Sequence, residues 1–131
     1  MNIEILSFTD RTIQAIDVMK LYNDAGWWGE RQEQAIENML REVPSVGAWI
    51  GDTLIGFARA VTDGKFRAYI EDVVIHSSYR EEGIGTKLVS KLLNELLHID
   101  VISLFCEEHL IPFYEKSNFK YSNSQFIMHR K

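Results

Sequence analysis

One stretch of this chain constrains its fold more than any other. From Val73 to Leu97 it reads VVIHSSYREEGIGTKLVSKLLNELL. The apolar run Val73-Val74-Ile75 ends in a polar turn that carries Arg80, Gly83 and Gly85. Ile84, Leu88, Leu92 and Leu96 then recur at helical spacing, with Val89, Leu93 and Leu97 on the neighbouring row. The pattern predicts a strand, a glycine-bearing turn and an amphipathic helix. The first turn of such a helix has free backbone N–H groups and a partial positive charge, so it can seat an anion. The spacing is not G-x-x-x-x-G-K-[ST], and no third glycine completes G-x-G-x-x-G, so neither common phosphate loop is present.

The rest of the chain supplies a framework for that unit. Ile3 to Phe8 reads as a first strand, and Thr9 or Asp10 as the cap of a helix with Ile13, Ala15, Ile16, Met19 and Tyr22 inward. Gly26 is the expected left-handed end of that helix. Trp27 and Trp28 follow, with one tryptophan expected in the core or against a ligand pocket and the other half-exposed. A second helix is expected from Arg31 to Glu42, with Ala35, Ile36, Met39, Leu40 and Val43 inward, and Pro44 stops it.

Val46–Gly51, Leu54–Val61 and Phe66–Ile75 read as three strands of a meander. Gly56 marks a bulge or a close approach, and Asp63-Gly64 a type I′ hairpin. After the long helix, Val101–Cys106 is a short strand, parallel to its partner by the crossover rule. Leu110–Ser117 is a short helix, with Pro112 in its first turn and Asn118 as a left-handed cap. Phe119–Tyr121 and Gln125–His129 are expected as a last hairpin. The predicted order is β-α-α-β-β-β-α-β-α-β-β, an α/β (α+β) mixed sheet in a single domain, 1–131.

Arg80-x-x-Gly83-x-Gly85 behind a strand resembles the signature of the GNAT family, the acetyl-CoA-dependent N-acetyltransferases. Phe113-Tyr114-Glu115-Lys116-Ser117-Asn118-Phe119 is similar to the family's F-Y-E-K-x-G-F ending, with Asn118 at the glycine position. Together with the Gly26-Trp27 break, the likeness spans nearly the whole chain. It implies a GNAT fold whose two central parallel strands splay apart.

It also implies acetyl-CoA as acyl donor and no metal. The pyrophosphate would meet the backbone N–H groups of Glu81, Glu82, Gly83, Ile84, Gly85 and Thr86, with Arg80 adding a charged contact. Val73, Val74 and Ile75 would pair with the pantetheine arm like an added strand, and a backbone N–H there, that of Val74, would hold the oxyanion. Tyr114 would protonate the departing sulfur. Many relatives carry an Asn that contacts CoA where this chain has Glu107.

A cationic amine must lose a proton before it attacks, so a base is expected near the strand end. Strand alternation puts Glu71 and Asp72 on opposite faces, so at most one meets the acceptor. Glu71 is preferred, and Asp72, His109 or water remain open. Tyr22, Trp27 and Trp28 are assigned to the acceptor side, where a small-molecule amine or a peptide amine would bind. The other reading is a non-catalytic acyl-CoA sensor or regulatory module. It would keep the glycine turn and need neither Tyr114 nor a base.

Composition bears mainly on partners. A net charge of −5 over 131 residues argues against a nucleic-acid binder. No apolar run approaches the roughly 20 residues of a membrane helix. The N-terminus lacks the basic and apolar regions of a signal peptide, which leads to a cytoplasmic expectation. The lone Cys106 precludes an intrachain disulfide or a multi-cysteine zinc site, and it lacks a paired His to serve as a nucleophile. Exposed terminal strands would permit a homodimer.

Overall fold

The computed structural model describes residues 2–131. Five strands make one sheet in the order β1-β2-β3-β4-β5: β1 (Ile3–Ser7), β2 (Ser45–Ile50), β3 (Thr53–Thr62), β4 (Arg67–Ile75) and β5 (Val101–Leu104). The first three junctions are antiparallel and the β4–β5 junction is parallel. The sheet is therefore mixed, as the strand–helix–strand order requires. Helices α1 (Ala15–Ala25), α2 (Glu33–Glu42), α3 (Ile84–Asn94) and α4 (Ile111–Glu115) complete the fold.

The sheet is covered on both faces. On one, α3 lays Ile84, Leu88 and Leu92 over a floor that includes Ala48, Ala58, Ala60 and Ala68. Small residues let the helix come close. A side chain at Gly56 would put its Cβ 2.9 Å from Leu88 Cδ1, so Gly56 is there for that approach. The β2–β3 register also shifts beside it, between Ala48 and Trp49. On the other face, Val18, Leu21 and Tyr22 of α1 and Ile36 and Leu40 of α2 pack on Trp49, Phe57 and Val74.

Several expectations are corrected. Thr9 and Asp10 do not cap α1: the Ser7 hydroxyl meets both side chains in a separate turn, and the helix begins later, after Gln14. The late start turns the buried stripe to Ala15, Val18, Leu21 and Tyr22, and leaves Ile16 47% exposed. Ala35 is exposed on α2. α3 ends at Asn94, so Leu96 is buried in the following turn while Leu97 faces solvent. Asp63-Gly64 is not a two-residue hairpin. Asp63 Oδ1 accepts the N–H groups of Lys65, Phe66 and Arg67, which builds a longer loop.

The final hairpin is absent: residues 120–131 contain no strand. Alternation says what a strand would bury, not that a partner edge is within reach. Here the tail stands off β5 across a groove of about 720 Å³, and Phe126 and Met128 are exposed. Gly26 (φ 77°) and Asn118 (φ 68°) do take the left-handed conformation expected of them.

Candidate active site

β4 decides the geometry of the site. Phe57 opposes Val74 and Arg59 opposes Glu71, so β4 has one more residue than β3 across this span. The extra residue is a bulge at Asp72, whose φ of 54° lies in the left-handed region. Pairing with β5 stops at Ile70 and Leu104. Glu71 to Ile75 therefore continue with no strand on that side, and this is the splay.

The His76 N–H donates to Ile55 O at 2.8 Å, toward β3. Alternation puts the Val74 N–H on that same edge, and those of Val73 and Ile75 on the open one. The Ile75 carbonyl, which accepts from Arg80 Nε at 3.2 Å, agrees. The expectation that Val74 supplies a free N–H is thus corrected: its N–H belongs to the β3 ladder.

The bulge also alters the fate of the two acids. Asp72 is not free. Its carboxylate accepts from Tyr22 Oη at 2.9 Å and Arg59 Nε at 2.7 Å, and Arg31 Nη1 lies 3.5 Å away. Its side chain is 4% exposed. Burial, reinforced by the Asp72 charge, pushes the Tyr22 phenol well above its ordinary value. Glu71 is half-buried, and its carboxyl is raised by loss of solvent and then by the Asp72 charge, against the pull of Arg59 and Arg31. A carboxylate so raised suits proton transfer better than an ordinary one.

Across the splay, α4 carries Tyr114. Its ring meets Phe113 edge-on at 4.8 Å and Phe119 at 6.2 Å between centroids. Burial, then charge at Cys106 and Glu71, pushes the phenol up to about 12. Tyr114 borders, with Leu104 and Cys106, the groove along the end of β5 where pairing with β4 stops. Cys106 is half-buried and its thiol is raised by burial, the opposite of an activated nucleophile. His109 and Glu107 lie close to one another, 3.8 Å apart, with side chains 71% and 84% exposed.

The glycine turn lies beyond the end of β4. Asp24, at the end of α1, accepts the N–H and hydroxyl of Ser77 at 2.7 and 2.9 Å, and Arg80 Nη2 is 4.0 Å from it. Those bonds to Ser77 hold the Asp24 carboxyl below the usual range. Glu81 (φ 69°) and Gly83 (φ 78°) are left-handed, and both Glu81 and Glu82 are exposed. The helix ladder closes first with the Lys87 N–H on Gly83 O. The N–H groups of Ile84, Gly85 and Thr86 precede that closure and are available to a ligand. The two glycines differ in purpose. Gly83 supplies the backbone turn, whereas the space beside Gly85 is filled by the Phe113 ring.

On the other side of Asp72, the α1–α2 loop presents Trp27 and Trp28, 38% and 42% exposed. Neither is a core residue. Trp28 has φ 53°, at a cost of about 1–3 kcal/mol, and its ring lies 3.9 Å from the Arg31 guanidinium. Both tryptophans line a cavity of about 220 Å³ and an adjoining hollow of about 360 Å³ that reaches Asp72. Tyr22 borders the cavity but is only 2% exposed, its hydroxyl engaged by Asp72.

The family model for the acetyltransferase (GNAT) family matches residues 15–119. This chain belongs to the GNAT family. Among curated relatives, an uncharacterised N-acetyltransferase, ycf52, of Pyropia yezoensis is 29% identical over 88% of this chain and 70% of its own length. Three other relatives match about half of this chain, and between 27% and 39% of their own lengths.

Among solved structures, SA2161 of Staphylococcus aureus, a probable acetyltransferase, superposes with a TM-score of 0.85 over 99% of both chains at 20% identity. A predicted acetyltransferase of Clostridium acetobutylicum, solved with acetyl-CoA, has a TM-score of 0.71 at 17% identity over 98% of this chain and 96% of that one. These likenesses establish the GNAT fold.

Sequence reasoning named Glu71, Tyr114 and the glycine turn. It missed Arg31, Arg59 and Asp24, which periodicity marks only as polar surface.

Proposed function

We propose that this chain transfers an acetyl group from acetyl-CoA to a primary amine by direct attack on the thioester. The observation that carries the reading is the unpaired edge of β4. It ends at a helix N-terminus shaped for an anion, and the half-buried Tyr114 stands across the opening.

The pyrophosphate sits on the N–H groups of Ile84, Gly85 and Thr86, with Gly83 turning the chain into α3. Arg80, half-exposed, adds a charged contact. Glu81 and Glu82 turn their carboxylates to water and leave the backbone to serve. The pantetheine arm lies along the open edge, where the N–H groups of Val73 and Ile75 have no strand partner. One of them holds the oxyanion of the tetrahedral intermediate. The side chain of Val74 remains packed in the core beside Phe57.

Glu71 takes the proton from the attacking ammonium, directly or through water. Asp72 is less suited, because its Oδ2 accepts from both Tyr22 and Arg59, Arg31 lies 3.5 Å from the same oxygen, and its side chain is 4% exposed. The amine nitrogen then forms the C–N bond, the C–S bond breaks with its electron pair leaving on sulfur, and the nitrogen gives up its second proton to water as the amide forms. A thiol near pKa 8.5 is a far stronger acid than a phenol near 12, so full transfer from Tyr114 is uphill by about 3.5 units, or about 5 kcal/mol. Tyr114 therefore acts as a hydrogen-bond donor to the developing thiolate. The proton that finally neutralises CoA comes from the base or from water.

The deciding experiment is a CoA-release assay with acetyl-CoA over a broad amine panel, paired with thermal-shift titration of acetyl-CoA. Turnover supports transfer. Stabilisation by acetyl-CoA with no turnover on any amine would favour the non-catalytic acyl-CoA sensor. Absence of both effects rejects the acyl-CoA reading altogether.

A further inference from the structure

The acceptor cavity has an electrostatic bias that the transfer chemistry does not require. Its walls include Lys20, Tyr22, Asn23, Trp27, Trp28 and Arg31. Its two charged residues are both cations, and no carboxylate is among its walls. Arg31 is held in a defined pose. Its guanidinium carbon lies over the Trp28 ring, 3.9 Å from the centroid, and Nη1 is 3.5 Å from Asp72 Oδ2.

That carboxylate is already claimed by Arg59 at the shorter distance of 2.7 Å. One negative charge is thus shared between two guanidinium groups. Stacking uses the face of a guanidinium and leaves its edge donors available, and the Arg31 side chain is 33% exposed. Trp28, the residue on which Arg31 rests, has an unfavourable backbone conformation. Strain retained beside a cavity is what a binding role explains and a solvated loop does not.

A polyamine or lysine side chain entering this cavity would meet like charge at Lys20 and Arg31. A carboxylate or phosphate would meet a rigid donor fork at Arg31. The adjoining hollow, walled by the same two tryptophans, leads to Asp72 and so toward the neighbouring Glu71. Building on the acetyl-transfer reading, we infer that the acceptor is an amine that also bears an anionic group, a carboxylate or a phosphate. Its apolar or flat body lies against Trp27 and Trp28, and Arg31 selects for the anion.

Matched pairs test this: tyramine against tyrosine for the carboxylate, and glucosamine against glucosamine 6-phosphate for the phosphate. The anionic member of at least one pair is expected to have a tenfold or greater advantage in kcat/KM, expressed in KM. Arg31→Gln should bring that ratio close to one, and Arg31→Lys should retain part of it. Thermal unfolding confirms that each variant is folded.

A second arm omits the amine and measures calorimetric binding of 4-hydroxyphenylpropionate and glucose 6-phosphate to the native protein and to Arg31→Gln. Binding that weakens at least tenfold in the variant supports the anion seat, even if no amine is acetylated. In that case it is the transfer reading that fails. Amines without the anionic group acetylated as well as their anionic partners, or a preference that survives Arg31→Gln, overturn the inference and leave the transfer reading intact.

Discussion

The Phe113 ring occupies the space that a side chain at Gly85 would need. A Cβ on Gly85 would lie 2.9 Å from Phe113 Cζ and 3.1 Å from Cε1. The glycine turn and the helix that carries Tyr114 are thereby packed directly on one another. A change in one must be felt in the other.

Gly85→Ala is therefore expected to cost about 1–3 kcal/mol in stability by overpacking. It should also lower kcat, because the displaced Phe113 moves its neighbour Tyr114. Phe113→Leu, which removes the ring edge, should restore much of the loss in the double variant. Urea unfolding and CoA-release kinetics on the four-member cycle measure this. Additive penalties would show that the contact does not couple the two elements.

Asp72 sits among Tyr22, Arg59 and Arg31 with its side chain 4% exposed. Asp72→Ala leaves Arg59, whose side chain is 13% exposed, without its partner, and the cost should be about 3–5 kcal/mol. The bulge would lose the contacts that hold its left-handed residue, so acetyl transfer should fall even where the protein remains folded. Equilibrium unfolding gives the first number and kcat below the melting range the second. A loss under 1 kcal/mol would mean that the network is not buried in solution.

The raised pKa of Glu71 sets a direction for the pH profile. In the proposed transfer the carboxylate is the active form, and a raised pKa means that it is lost at a higher pH on acidification than for an ordinary glutamate. The acid limb of kcat at saturating acceptor should lie above that range. Asp72→Asn removes the negative neighbour and frees Arg59 and Arg31 to act on Glu71. Both effects favour its ionised form, so the limb should move to lower pH. Glu71→Gln should abolish the limb along with most of the activity. A limb that is unchanged in Glu71→Gln would assign the proton transfer to another group.

For Tyr114, burial holds the phenol near 12, so it stays protonated through neutral and moderately alkaline pH. No alkaline loss of kcat below about pH 11 should come from its ionisation. Tyr114→Phe should lower kcat by about 10- to 100-fold, the scale of one lost donor to a developing anion, with little change in acetyl-CoA affinity. Unchanged kcat in Tyr114→Phe would make it a packing residue.

How much of this was legible in the sequence varies by element. α3 and its glycine turn were read correctly because helical periodicity and left-handed turn residues are local properties. The choice of Glu71 over Asp72 had a weaker basis. Alternation said only that at most one of the two acids meets the acceptor, the preference for Glu71 came from the family resemblance, and the bulge at Asp72 breaks alternation at that point. The Val74 N–H was misplaced because the edge a strand residue faces depends on which ladder claims it, and that cannot be read from one strand alone. The last hairpin failed for a related reason: alternating residues need a partner edge, and here the tail stands away from β5.

By itself, the sequence determined the strand–turn–helix around Arg80, Gly83 and Gly85, the position of Tyr114 after it, and the mixed order of elements. Each is set by side-chain spacing within a few residues. Tertiary structure alone decided where the sheet opens, that Asp72 meets Tyr22, Arg59 and Arg31, and that Arg31 and Trp28 line one cavity. Those outcomes rest on contacts between residues far apart in the chain, such as Tyr22 with Asp72 and Gly85 with Phe113, and no local pattern encodes such pairings.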